Sequence, residues 1–258
     1  MRFAFTVTCL VGAMIPGGLM AQTWTPESPT ALYPPRRTIG VFGEYSPNSS
    51  HIILGVARKR EFYSLGLAFT ERLATRRAFT LSYLAEIRPF TLWSDPILKS
   101  VTAVYTSPPP THSVNVFLNQ QPPVLDTYPH SEAFQYTDFG TGIFYQGTEY
   151  FNYGRRYLYA GGLSPLGLKI NLRPQARFQP VITGTGGFAA SFRDLPTFYS
   201  SAFNFTFSFG AGLEWYETET RSLRVEYRVH HLSNAAIGAT NPGTDSQVIQ
   251  ATWSWGRR

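Results

Sequence analysis

The 258-residue sequence has a single cysteine, Cys9, and carries charge at only 15% of its positions. Cys9 lies in the opening segment MRFAFTVTCLVGAMIPGGLMAQ, where Arg2 gives a basic start, an apolar stretch runs from Phe3 to Met14, and small residues lead to Ala21. That pattern predicts a secretory signal peptide over residues 1–21, cut near Ala21. A chain processed there keeps no cysteine, which excludes disulfide scaffolds and Cys-ligated zinc. Beyond the leader no apolar run reaches the roughly 18 to 20 residues of a membrane helix, so a helical membrane protein is excluded as well. With 43% hydrophobic residues and so few charges, the chain is not disordered as a whole.

Concentrated charge is also missing. The formal net charge of +6 is scattered over short clusters such as Arg36-Arg37, Arg58-Lys59-Arg60, Arg76-Arg77 and Arg155-Arg156. No helix or stripe gathers it, which argues against nucleic acid as a partner and is compatible with an anionic lipid surface. His51, His112 and His130 have no ligand partner at metal spacing, so no metal is expected. The glycine groups at Gly161-Gly162, Gly184 to Gly187 and Gly210 to Gly212 lack the following helix that a phosphate cradle requires. No cofactor is implied, and neither an internal repeat nor a second domain is visible.

What the sequence does have is alternation with a period of two, the mark of strands with one apolar and one polar face. From Phe203 to Trp215 every odd position is apolar and every even position is polar or glycine. Leu223, Val225, Tyr227 and Val229 likewise alternate with Arg224, Glu226, Arg228 and His230. A soluble sandwich also alternates, but it buries Val, Ile and Leu and keeps its charges outside. Here rows of Phe, Tyr and Trp oppose a face of Gly, Ser, Thr and charges of both signs, which suits a narrow membrane barrel. Glu86, Arg88, Glu214, Arg224, Glu226 and Arg228 are expected to fill its interior, with His230 paired to one of the acids; a filled interior argues against a pore.

The alternation predicts an all-β, eight-stranded antiparallel transmembrane β-barrel over residues 38–258. Its strands fall at about 38–46, 60–72, 77–88, 156–172, 177–190, 203–216, 221–233 and 245–255, with a bulge at Pro165. Residues 22–37 are read as an N-terminal periplasmic segment. Short polar turns near 73–76, 173–176 and 217–220 contrast with long links elsewhere, the asymmetry of an outer-membrane barrel. The longest link, about 89–155, is rich in Pro, Tyr, Ser and Thr and reads as an extracellular loop. A hairpin of 101–106 and 113–118 within it would raise the count to ten.

Strand parity also brings chemistry together. His231 and Ser233 share the outward face of Leu223, Val225, Tyr227 and Val229, and Asp245 shares that of Ile249, Ala251, Trp253 and Trp255 on the neighbouring strand. Two residues along a strand span about 6.6 to 6.8 Å, within reach of an imidazole leaning onto a hydroxyl. His231 is the tenth residue from Ser222, and a strand crosses in roughly 9 to 11. The trio is therefore expected at the outer interface, where a polar group costs about 0 to 1 kcal/mol and lipid esters lie. Ser233 as nucleophile, His231 as base and Asp245 as the acid orienting it follow the acyl-transfer template. Asn241 and Asn234, with a backbone N–H near Gly238, are the oxyanion candidates. The plainer alternative is a polar pair beside a turn, since Asn241-Pro242-Gly243 is itself a turn signal.

The stretch His231-Leu232-Ser233-Asn234-Ala235, followed by Asn241-Pro242-Gly243 and Asp245-Ser246 near the end of such a barrel, resembles the outer-membrane lipid A 3-O-deacylase family (PagL, acyloxyacyl hydrolase-like). The resemblance implies a serine esterase that removes an ester-linked acyl chain from the lipid A of lipopolysaccharide in the bacterial outer membrane. By position, Ser233 matches the nucleophile, His231 the base, Asp245 the acid (usually Glu in the family) and Asn241 an oxyanion-hole residue. A homodimer is compatible with this reading. His-x-Ser-Asn is also similar to outer-membrane phospholipase A, a family with an Asn as third member, twelve strands and calcium-dependent dimers. A structural or adhesive barrel is the non-catalytic alternative.

Overall fold

The computed structural model describes residues 33–120, 122–127 and 131–257. The expected signal peptide, residues 22–32 of the expected periplasmic segment, and His130 lie outside the described residues. Ten strands are present among them: β1 (Arg37–Ser49), β2 (Glu61–Thr75), β3 (Phe79–Ser107), β4 (His112–Phe117), β5 (Ser131–Thr137), β6 (Phe144–Leu172), β7 (Phe178–Leu195), β8 (Ser201–Thr218), β9 (Arg221–Ser233) and β10 (Thr244–Arg257). Eight of them close an antiparallel ring in the order β3-β2-β1-β10-β9-β8-β7-β6, with β6 pairing back onto β3. Closure leaves no open edge in the ring. β4 and β5 stand outside it, added to the far stretches of β3 and β6.

The region read as one long loop is sheet over much of its length. β3 runs through Pro89 to Ser107, and β6 begins at Phe144, so each is 29 residues long where roughly 9 to 11 cross a membrane. The expected hairpin exists as the far stretch of β3 and β4, but β4 stands outside the ring, which keeps eight strands. A bulge hides the continuity of β3. Between Arg88 and Thr91 the strand carries one residue more than β6 opposite it, so Arg88 and Thr91 both point inward and the alternation changes phase at Pro89. A second bulge falls at Pro165, as expected, between Leu163 and Leu166. Because β7 and β8 also run on, only residues 196–200 join them.

Side chains obey the two-faced pattern. Phe205, Phe207, Phe209 and Leu213 of β8 are exposed outward, while Asn204, Thr206, Ser208 and Glu214 between them are buried. Inside, Arg88 donates to both Glu44 oxygens at 2.8 and 2.9 Å and to Glu86 at 2.7 Å. Arg228 bridges Glu86 and Glu226 at 3.0 Å each, Arg224 meets Glu226 at 2.8 Å, and Lys169 meets Glu214 at 2.9 Å. Glu44 and Lys169 thus join the six residues expected from sequence. Gly212 makes room for this network, since a Cβ there would sit 2.0 Å from the Val225 carbonyl and 2.9 Å from the Glu226 side chain. His230 does not pair with an acid as expected. The acids are taken by stronger cations, and its ring packs 5.7 Å from that of Phe62.

Toward the long-loop end the filling changes from charged to apolar, with Phe62, Trp93, Leu158, Ala160, Leu195, Leu232 and Val248 packed together. Glu86 is the acid shared by Arg88 and Arg228; truncating it leaves these two cations only Glu44 and Glu226 and the buried set one positive charge in excess. Glu86→Ala is expected to lower stability by about 3 to 5 kcal/mol. Urea unfolding of the barrel in detergent micelles measures it, and a loss under about 1 kcal/mol would contradict the network.

Candidate active site

The site forms where β9 ends and β10 begins, beneath the loop joining β1 to β2. In the β9–β10 register His231 lies directly opposite Asp245. Their side chains are hydrogen bonded, Nδ1 to Oδ1, at 2.6 Å. The Asp245 side chain is fully buried and that of His231 nearly so. Leu232, between His231 and Ser233, points into the apolar core and is 1% exposed, which fixes its two neighbours on the outward face. The structure thus brings His231 and Asp245 into contact and sets Ser233 on the same face. Among the described residues no hydrogen bond joins the Ser233 hydroxyl to His231. With Nδ1 engaged by Asp245, Nε2 is the imidazole nitrogen left to face a nucleophile.

The second Asp245 oxygen has partners that sequence reasoning missed. The backbone N–H groups of Ile52, Ile53, Leu54 and Gly55 all donate to Oδ2, at 2.9, 2.5, 3.1 and 3.0 Å. Four successive amides converging on one oxygen form an anion-binding nest. The loop closes tightly here. A Cβ on Gly55 would lie 2.4 Å from the Asp245 nitrogen and 2.6 Å from the Thr244 carbonyl carbon. Further bonds lock it to the β9–β10 connection, from Ser50 N to Asp245 O at 2.9 Å, Val56 N to Pro242 O at 2.8 Å and Ala57 N to Gly243 O at 3.1 Å. The only sequence signal was an isolated glycine in a loop, because backbone donors leave no side-chain signature.

From its other side the loop is held by Arg60. Its fully buried guanidinium donates to the carbonyls of Arg58, Val124, Leu125 and Pro196 and faces Asp95 at 3.4 Å. Burial lowers Arg60 from its usual value to about 10, so it is still a cation at neutral pH and Asp95 compensates it.

The two oxyanion candidates separate. Asn234 is buried and committed to its own loop, its Oδ1 accepting from Ala236 N at 2.9 Å and its Nδ2 donating to Thr240 O at 2.8 Å. Asn241 is exposed and uses Oδ1 to accept from Asn234 N at 3.1 Å, which leaves its Nδ2 uncommitted by that bond. Gly238 contributes through its fit, since a Cβ there would overlap the Ser200 carbonyl. Ala235 and Ala236 both have positive φ, 49° and 63°, so the backbone just after Ser233 is held in a strained turn that Asn234 closes.

A closed eight-stranded barrel, apolar outside and charge-filled inside, defines a membrane β-barrel, here with a hydrogen-bonded carboxylate and imidazole at one rim. The chain belongs to the PagL family: the family model described as "Lipid A 3-O-deacylase (PagL)" matches residues 121–254, just over half of it. It is accordingly an outer-membrane lipid A deacylase, a hydrolase. Among solved structures it is similar to "Crystal structure of the outer membrane enzyme PagL", at 13% identity over 83% of this chain and 97% of that one, TM-score 0.49. Another is "Crystal structure of Neisserial surface protein A (NspA)", at 8% identity over 85% and 96%, TM-score 0.42. No curated protein matches it. The homodimer entertained from sequence finds no support in these matches.

Asn234→Ala removes the acceptor of Ala236 N and the donor to Thr240 O, two part-buried bonds, and is expected to cost about 1 to 3 kcal/mol in all. Limited proteolysis should then cut within 235–240 before the barrel unfolds; an uncut loop would mean that Asn234 does not hold it.

Proposed function

We propose that the protein is a serine esterase that removes the 3-O-linked acyl chain of lipid A, with Ser233 as nucleophile, His231 as general base and Asp245 as the acid that orients it. The observation that carries this reading is the 2.6 Å bond between His231 Nδ1 and Asp245 Oδ1 on the outward wall of the barrel. A carboxylate on Nδ1 fixes the tautomer with the proton there, leaving Nε2 basic and directed away. Nε2 takes the Ser233 proton as Oγ attacks the ester carbonyl. It returns that proton to the departing sugar hydroxyl, and water then resolves the acyl-enzyme by the same route. Asn241 Nδ2 donates to the developing oxyanion.

Position favours a lipid substrate. The site shares its face with Phe205 and Phe207, which lie opposite Ser233 and His231, and with Tyr227, and the loop that covers Asp245 carries exposed Ile52, Leu54 and Val56. Apolar side chains on both sides of a polar dyad suit an ester whose acyl chain is already in the membrane. Cleavage near 21 of the leader, and the outward orientation of the long loops, belong to the same reading.

Mass spectrometry of lipid A tests it after expression in an outer membrane that lacks deacylase activity. Loss of one 3-O-linked hydroxyacyl chain, abolished by Ser233→Ala and by His231→Ala, is expected. Lysophospholipid formation dependent on added calcium would favour the phospholipase reading instead, and unchanged lipids would leave a structural barrel. Asn241→Ala is expected to lower kcat by about 10² to 10³ with the protein still folded.

A further inference from the structure

We infer that the loop between β1 and β2 is a positioning element of this site, its amide nest at Ile52 to Gly55 gripping one Asp245 oxygen so that the other is held as an acceptor on His231 Nδ1, which keeps the imidazole proton there. The inference rests on the triad reading proposed above and assigns roles to residues outside the matched family segment. A carboxylate has two equivalent oxygens, and a lone Asp opposite a His can offer either. Here they are made inequivalent, since Oδ2 takes four N–H donors and Oδ1 takes only His231. The nest accepts nothing but an oxygen at its focus, because every group lining it is a donor.

The loop is built to hold that focus still. Gly55 brings backbone against backbone where no side chain fits, with a virtual Cβ 2.4 Å from the Asp245 nitrogen. Bonds to Pro242, Gly243 and Asp245 tie the loop to the catalytic connection. On the far side Arg58 N donates to Leu125 O at 2.7 Å, and Arg60 donates to the Val124 and Leu125 carbonyls. The segment 122–127 therefore braces the nest from behind. The region between β3 and β6 thereby acquires a role, since it backs the loop that orients the acid.

Asp245→Asn is the decisive variant because it is isosteric and its side chain must choose an orientation. With the nest intact, the amide oxygen goes to the four N–H donors and the NH₂ is left facing His231 Nδ1. The imidazole then protonates at Nε2, the wrong nitrogen for a base. The expected result is a fall in kcat of about 10⁴ with little change in KM on a short-chain p-nitrophenyl ester in detergent. ¹⁵N shifts of the histidine-labelled full-length protein should report protonation at Nδ1 in the wild type and at Nε2 in the variant. If the nest does not orient the side chain, the amide flips its oxygen to His231 Nδ1–H, the wild-type tautomer persists and activity falls less than about tenfold; that outcome overturns the inference. Gly55→Ala is the second variant, expected to lower kcat at least tenfold with KM unchanged, and wild-type turnover in a folded barrel would also overturn it. A Ser233→Ala variant that stays active sinks the esterase reading instead, while the tautomer in Asp245→Asn still reads the nest.

Discussion

Four carboxylates and four cations packed along the barrel axis are what every other feature depends on. Glu44, Glu86, Glu214 and Glu226 balance Arg88, Lys169, Arg224 and Arg228, all eight of them buried, so the set is neutral. Such a set is costly to desolvate and tolerates little rearrangement, because each displaced member leaves an uncompensated charge. It therefore fixes strand register more firmly than an oily core would. A one-residue slip of β9 would turn Arg224, Glu226 and Arg228 to the lipid and draw Val225 and Tyr227 into the charges.

The candidate site inherits that precision. His231 and Ser233 face outward because Leu232 belongs to the apolar layer and Arg228 to the charged one. His230, one residue away, faces inward against Phe62 and takes no part. A His and a Ser two residues apart on one face of a strand are thus a consequence of the pleat rather than of a specially shaped loop. The loops contribute what a strand cannot, namely converging backbone donors around Asp245 and a strained turn at Ala235 and Ala236 that carries Asn241 back toward the rim.

How legible this was in the sequence followed from how local each constraint is. Strand faces were readable wherever alternation was unbroken, as from Phe203 to Trp215 and along β9. The pairing of His231 with Asp245 followed from parity and adjacency. The reading failed at Pro89, where a bulge reverses the phase and makes a continuing strand look like the start of a loop, and at His230, whose inward direction was right but whose neighbour depended on which acids the cations had taken. The amide nest was illegible for a deeper reason. Its donors belong to the backbone, and the residues that carry them, Ile52, Ile53 and Leu54, have side chains that say nothing about an anion.

The position of that nest explains how an aspartate can serve on a barrel wall facing hydrocarbon. A carboxylate on a lipid-facing strand is ordinarily unfavourable, and its desolvation would drive it to take up a proton or swing toward water. Asp245 does neither, because the loop covers it completely and surrounds one oxygen with N–H groups while the other meets an imidazole. The covering excludes water and the donors replace it, so the charge is kept without solvent. The same covering leaves the exposed edge of His231 on the outward face that it shares with Ser233. A polar dyad at the border of the hydrocarbon is thus stabilised by backbone from a loop that packs on it, and that loop is in turn stabilised by a buried arginine and the segment between β3 and β6.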